Sequence, residues 1–178
     1  VQTCALPIYP DWTLHNIQLN IQPNESICLM GRAGSGKSSL MRLLTGAFHT
    51  FKGSVLIDKI PIANYNLASL RTQTGILLNQ NDIFKGTLQE NISMGYSDIT
   101  AQEIMALAEG IGIKKYIAGL PQGLETPLQS DGTRLSKKIV QKILLMRALV
   151  HQPRMLLLEE PLEGIEDEPR RTILQYLF

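Results

Sequence analysis

Residues Gly31-Arg32-Ala33-Gly34-Ser35-Gly36-Lys37-Ser38 meet the pattern G-x-x-x-x-G-K-[ST] at every fixed position. No other feature of the chain restricts its fold as strongly, because the pattern works only when a strand precedes it and a helix follows. The context fits: Ser26 to Met30 is a short apolar run, and Leu40, Leu43 and Leu44 recur at helical spacing after Lys37. Glycines permit the dihedrals that turn successive N–H groups inward. The helix N-terminus adds a dipole that favours anions. Lys37 has the reach for β- and γ-phosphates, the Ser38 hydroxyl is a Mg²⁺ ligand, and Ser39 offers a further donor. These residues imply a nucleoside-triphosphate site.

The remaining pattern predicts alternating strands and helices. Ile17, Leu19 and Ile21 alternate with polar residues, as in a half-buried strand, and Pro23-Asn24-Glu25 signals a turn. Ser26 to Met30 reads as a buried strand that encloses Cys28. A helix runs from Lys37 to Thr45, with Gly46 as its stop. Strands are expected at Ser54 to Asp58 and Ile76 to Leu78, and a helical region over residues 101 to 120. Ser136 is placed to cap a helix that continues to about Val150. Arg154 to Glu159 is an apolar run bounded by Pro153 and Pro161, the most strand-like segment in the chain. This order suggests a mostly parallel sheet covered on both faces. His15, His49 and His151 read as surface or loop residues.

That last run ends Leu158-Glu159-Glu160-Pro161, with two carboxylates at the C-terminal end of a buried strand, where open α/β sheets hold ligands. The first is suited to hold Mg²⁺, the second to orient and deprotonate an attacking water.

Composition excludes other classes. The chain is 44% hydrophobic and 19% charged, enough to bury a core, and two cysteines make no disulfide framework. A net charge of +1 argues against a nucleic-acid partner. Apolar runs of four or five residues are too short to span a bilayer. At the N-terminus, residues Val1 to Ile8 resemble the in-frame translation of a DNA-sequencing adapter and are expected to stand outside the fold. At the other end, Leu174 to Phe178 stops within a helical pattern. The chain is therefore expected to be a fragment.

Together these motifs resemble the ATPase domain of an ATP-binding cassette (ABC) transporter, most similar to the bacterial exporter type, from about Tyr9 to Phe178. Further matches carry the resemblance. Gln80-Asn81-Asp82-Ile83-Phe84 is similar to the family's glutamine loop, and Gly86-Thr87-Leu88-Gln89-Glu90-Asn91-Ile92 to its G-T-[IL]-x-E-N-I segment. Leu120 to Leu128 is similar to the end of its helical subdomain. Leu135-Ser136 stands at the signature position, and Arg147-Ala148-Leu149 precedes the acidic strand. The resemblance implies a P-loop NTPase α/β fold: a mostly parallel core sheet, an N-terminal antiparallel β region, and an inserted helical subdomain at about 87–148. The switch histidine is expected beyond Phe178.

The resemblance also implies a function: ATP binding and hydrolysis with Mg²⁺, coupled to export across a membrane. Two such domains pair head-to-tail, with ATP between the phosphate loop of one and the signature helix of the other, so Ser136 joins Gly31 to Ser39 as a nucleotide contact. A transmembrane domain on the same full-length chain would hold the ATPase at the cytoplasmic face of the bacterial inner membrane. Peptide or protein secretion is the preferred cargo class. Glu160 is assigned as general base, with Lys37 and Gln80 as further catalytic groups and Ser38, Gln80 and Glu159 as metal ligands. The commoner spacing counted back from Phe84 gives Asn79. Gln80 is preferred because it ends the strand and can ligate Mg²⁺. Tyr9 and Trp12 are the candidates to stack on adenine, with Tyr9 taken first.

Three motifs depart from the family pattern. The usual L-S-G-G-Q signature is Leu135-Ser136-Lys137-Lys138-Ile139, Glu159 replaces the metal-holding aspartate, and Glu166 stands where the pattern has a later aspartate. Displacing a reacting array by about 1 Å can cost about 10²-fold in rate. An alternative reading follows: a degenerate domain that binds ATP, hydrolyses little, and supports a partner cassette.

Overall fold

The computed structural model describes residues 4–8, 11–48, 51–78, 83–132 and 134–178. They belong to two compact units, Val1–Thr72 and Gln73–Phe178.

In the first unit, β1 (Cys4–Ile8) and β2 (Asp11–Ile17) form an antiparallel hairpin. The helix α1 (Lys37–Leu44) follows, then β3 (Lys52–Gly53), β4 (Leu56–Ile57), β5 (Ile60–Pro61) and α2 (Leu67–Thr72). β1 is the middle strand of the order β2-β1-β3. Cys4–Ile8, part of the segment expected to stand outside the fold, therefore pairs in this sheet. β4 and β5 pair through a tight turn in which Asp58 and Lys59 both take positive φ, 48° and 66°, the backbone that suits the twist of a two-residue hairpin. Leu40, Leu43 and Leu44 form the buried face of α1. Each fully buried leucine contributes about 1.5–3 kcal/mol.

Two expectations in this unit are corrected. β2 starts earlier than the alternation predicted and ends at Ile17, so Leu19 and Ile21 lie beyond it. Ser26 to Met30 forms no strand: among the described residues it has no ladder partner, Met30 is 88% exposed, and Cys28 is exposed as well. An apolar run becomes a strand only when a neighbour takes up its backbone N–H and C=O groups. The turn ahead of it forms as expected, with Asn24 at φ 61°, Glu25 N–H donating to the Gln22 carbonyl at 3.2 Å, and Gln22 N–H donating to Glu25 Oε2 at 2.7 Å.

The second unit holds β6 (Thr74–Leu77), β7 (Gly86–Thr87), α3 (Leu88–Ser93), α4 (Ala101–Gly110), α5 (Lys114–Ala118), β8 (Pro127–Leu128), α6 (Lys137–Leu149), β9 (Met155–Leu158) and α7 (Asp167–Leu177). β6 and β9 pair in parallel, Thr74 opposite Met155 and Leu77 opposite Leu158. Among the described residues this is the one parallel ladder. Thr87 and Thr100 each start a helix with a reciprocal capping box, to Glu90 and Glu103. The Thr100 hydrogen bonds, side chain first, hold the Glu103 carboxyl below its usual range.

α6 packs directly on β6. A Cβ on Gly75 would overlap the Ala148 carbonyl oxygen, so glycine is what allows the two backbones to meet. Ile143, Leu145 and Met146 from α6 are fully buried in one core with Ile92, Ile104 and Ile173. His151 lies in the turn after α6, as expected for a loop residue; its Nε2 is buried with no hydrogen-bond partner, and its ring meets Tyr96 edge-on at 4.7 Å. His15 is exposed in β2, and His49 lies outside the described residues.

Candidate functional site

The phosphate-loop residues fold as their chemistry requires. Gly34 and Gly36 take φ of 79° and 88°, a region closed to most side chains. Ser35 N–H donates to the Arg32 carbonyl at 3.2 Å, which closes the loop, and a Cβ on Gly31 would sit 2.8 Å from Ser35 Oγ. Gly36 is the N-cap of α1 without a side-chain cap, and the first turn carries no acidic residue. The positive end of the helix is therefore not neutralised from within, which suits an anion. Lys37 Nζ donates to the Gly31 and Arg32 carbonyls at 2.9 and 3.0 Å, so its ammonium lies over the loop that the glycines shape. Arg32 and Ala33 are exposed in that loop, and Ser38 and Ser39 are half-buried in the first turn of α1. A triphosphate fits this loop by both charge and backbone shape.

In the second unit, the acidic residues sit at the end of β9. Glu159 N–H continues the parallel ladder beyond the strand, donating to the Leu77 carbonyl at 2.7 Å. Glu160 leaves the ladder with φ 46°, a left-handed backbone that costs a non-glycine residue about 1–3 kcal/mol unless its surroundings hold it. Its carbonyl accepts from Glu163 N–H at 3.1 Å and from Gln141 Nε2 at 2.9 Å. Its side chain is exposed. Glu159, half-buried, offers carboxylate oxygens of the kind Mg²⁺ takes. Among the described residues no cluster of three or more His, Cys, Asp or Glu side chains forms a metal cage.

Ser136 occupies the N-cap position of α6, but its hydroxyl makes no capping hydrogen bond, contrary to the sequence expectation. The hydroxyl is exposed and not committed to its own helix. Lys137 is exposed, while Lys138 pairs with Glu166 at 3.3 Å. Two of the departures from the family pattern thus touch each other. One turn further on, Lys142 is buried, and its ammonium donates to the Gly112 carbonyl at 2.9 Å. Desolvation first, and the neighbouring Lys138 second, hold the Lys142 pKa below the usual lysine range, against a smaller opposing pull from Glu166.

Tyr9 and Gln80 lie outside the described residues, and Trp12 stands in β2 opposite Pro7. Sequence reasoning assigned no role to Gln141, although its hydrogen bond reaches the backbone of the candidate base. In sequence, Asn91 and Arg147 stand out only through the family resemblance. Asn91 is fully buried, donates to the Phe84 and Thr87 carbonyls at 2.9 and 3.0 Å, and accepts from Phe84 N–H at 3.0 Å.

The comparisons with known proteins agree with this geometry. Residues 14–163 match the family described as ABC transporter. The chain is 37% identical over 160 residues to the cyclolysin secretion/processing ATP-binding protein CyaB of Bordetella pertussis, covering 90% of this chain and 22% of that protein. It is 34% identical over 172 residues to the ATP-dependent lipid A-core flippase of Alkalilimnicola ehrlichii, covering 96% of this chain and 29% of the relative. A bacterial Atm1-family ABC exporter solved with ATP bound superposes with a TM-score of 0.92 at 29% identity, over 99% of this chain and 31% of the other. The chain thus spans less than a third of the length of these proteins. No helix among the described residues is long and apolar enough to cross a membrane. With the family match covering most of the chain and the phosphate loop, acidic strand end and signature position in family order, this chain belongs to the ABC transporter family.

Proposed function

We propose that the chain is the ATP-binding and ATP-hydrolysing part of an ABC exporter. The observation that carries the reading is the phosphate loop, with Gly34 and Gly36 at positive φ and an uncapped helix behind them. The resemblance to ATP-dependent exporters supports the rest. Gly31 to Ser39 bind the phosphates, and Lys37 supplies the charge that faces the β- and γ-oxygens. By motif order, Ser38, Gln80 and Glu159 would hold Mg²⁺, and the ion would supply positive charge for the phosphate oxygens. Glu160 takes the proton of the attacking water. Tyr9 is assigned to adenine, and Ser136 to the nucleotide of a second cassette arranged head-to-tail.

On this reading residues of about 87–148 form the helical subdomain of an ATPase domain that belongs to a longer chain. A transmembrane domain on that chain would hold it at the cytoplasmic face of the inner membrane and turn dimer closure into export. Secretion of a peptide or protein is the cargo class favoured by the likeness to the cyclolysin secretion protein. Lys137 and Lys138 in the signature favour a second reading, ATP binding with little hydrolysis.

Calorimetry with ATP and Mg²⁺ tests the site. Binding should be measurable in the parent protein and lost in Lys37→Ala, and unchanged affinity in that variant overturns the reading. Binding with no hydrolysis by the full-length protein would select the second reading.

A further inference from the structure

The loop that carries the candidate base is tied at both ends to α6. At its start, Gln141 Nε2 donates to the Glu160 carbonyl at 2.9 Å. At its end, Lys138 pairs with Glu166 at 3.3 Å. Between them, Glu163 N–H turns back to the Glu160 carbonyl and Ile165 N–H to the Leu162 carbonyl, while the Ile165 side chain is buried in the core. These two ties are not equivalent. The Lys138–Glu166 pair joins two largely exposed side chains across solvent, an arrangement that contributes little. The Gln141 bond is exposed as well, but it ends on the backbone of Glu160, whose φ of 46° a non-glycine residue keeps only when neighbours hold it. With Glu163 N–H, it fills both acceptor positions of that carbonyl.

We infer that Gln141 is a positioning residue for Glu160: its side-chain amide locks the left-handed backbone at the end of β9 and so sets the direction in which the carboxylate leaves the strand. This rests on the reading of Glu160 as general base. Gln141 does not touch the reacting atoms and acts only through the peptide group of Glu160. Losing the bond lets the φ of Glu160 relax, and the carboxylate swings about the strand end. A misplacement of about 1 Å costs on the order of 10²-fold, so a partial loss near tenfold is expected.

The test uses the full-length transporter that contains this domain. Gln141→Glu keeps the length of the side chain and removes the donor, and Gln141→Leu removes the polar group altogether. Both should lower kcat about tenfold, with KM for ATP and the melting temperature unchanged. In a Glu160→Gln background, single-turnover rates should show no further loss on adding Gln141→Leu, because the glutamine works through the missing base. The inference is overturned if both Gln141 variants keep kcat within about twofold, if the loss falls on KM alone, or if the loss is as large without the base. Normal turnover in Glu160→Gln overturns the base assignment and this inference with it. Turnover lost there but intact in both Gln141 variants overturns the inference alone.

Discussion

Arg147 grips Asn91 twice, with Nε on its main-chain carbonyl at 2.8 Å and Nη2 on its side-chain oxygen at 3.1 Å, across 56 residues of sequence. The guanidinium also lies over the Phe84 ring, 5.5 Å from its centre. This network joins α3 to α6 and holds the segment at Phe84 against both.

Asn91→Ala should therefore destabilise the protein by about 2–4 kcal/mol, because it strips hydrogen bonds from Arg147 and from the Phe84 and Thr87 carbonyls in a buried site. Asn91→Asp keeps the acceptors for Arg147 and loses the donors to the two carbonyls, so it should cost less than alanine. Urea unfolding of the two variants checks the order. A loss below about 0.5 kcal/mol for alanine would show that the network is not structural.

Stability should also depend on pH through Lys142. Its folded pKa lies below the ordinary lysine value of 10.5, so over the interval between the two the unfolded chain binds more protons. The cost of keeping the ammonium in the fold is fully present at neutral pH and fades as pH rises towards 10.5. The parent protein should thus gain stability relative to Lys142→Met on going from neutral to alkaline pH. Urea midpoints for both proteins across that range measure the difference. A flat difference would mean that burial does not burden this lysine.

Catalysis offers a third test, in the full-length protein. Glu160→Gln keeps shape and hydrogen bonding and loses the base, so ATP should still bind while turnover falls about 10²-fold or more. Glu159→Asp should raise turnover, because it restores the shorter side chain of the family pattern. A fall would show that the pocket has adapted to glutamate.

The fourth concerns the N-terminal segment, which pairs with β2 on one side and β3 on the other. Deleting Val1 to Ile8 removes the middle strand and should lower the melting temperature by about 4 °C or more. An unchanged melting temperature would favour the adapter-derived reading, on which these residues add nothing to the fold.

What the sequence by itself determined was local chemistry. The phosphate loop was legible because positive φ at Gly34 and Gly36 needs glycine, and because a helix of suitable period begins at Lys37. Helices α4 and α6 followed from apolar spacing, and β9 from an apolar run between prolines. Only tertiary structure decided the rest. Ser26 to Met30 has the composition of a strand, yet a strand exists through its neighbour, and no periodicity names that neighbour. Cys28 is exposed for the same reason. The bond from Gln141 to Glu160 and the grip of Arg147 on Asn91 join residues 19 and 56 positions apart. They form because α6 lies flat on β6 at Gly75, and that close approach depends on the packing of a whole core rather than on any residue's own preference.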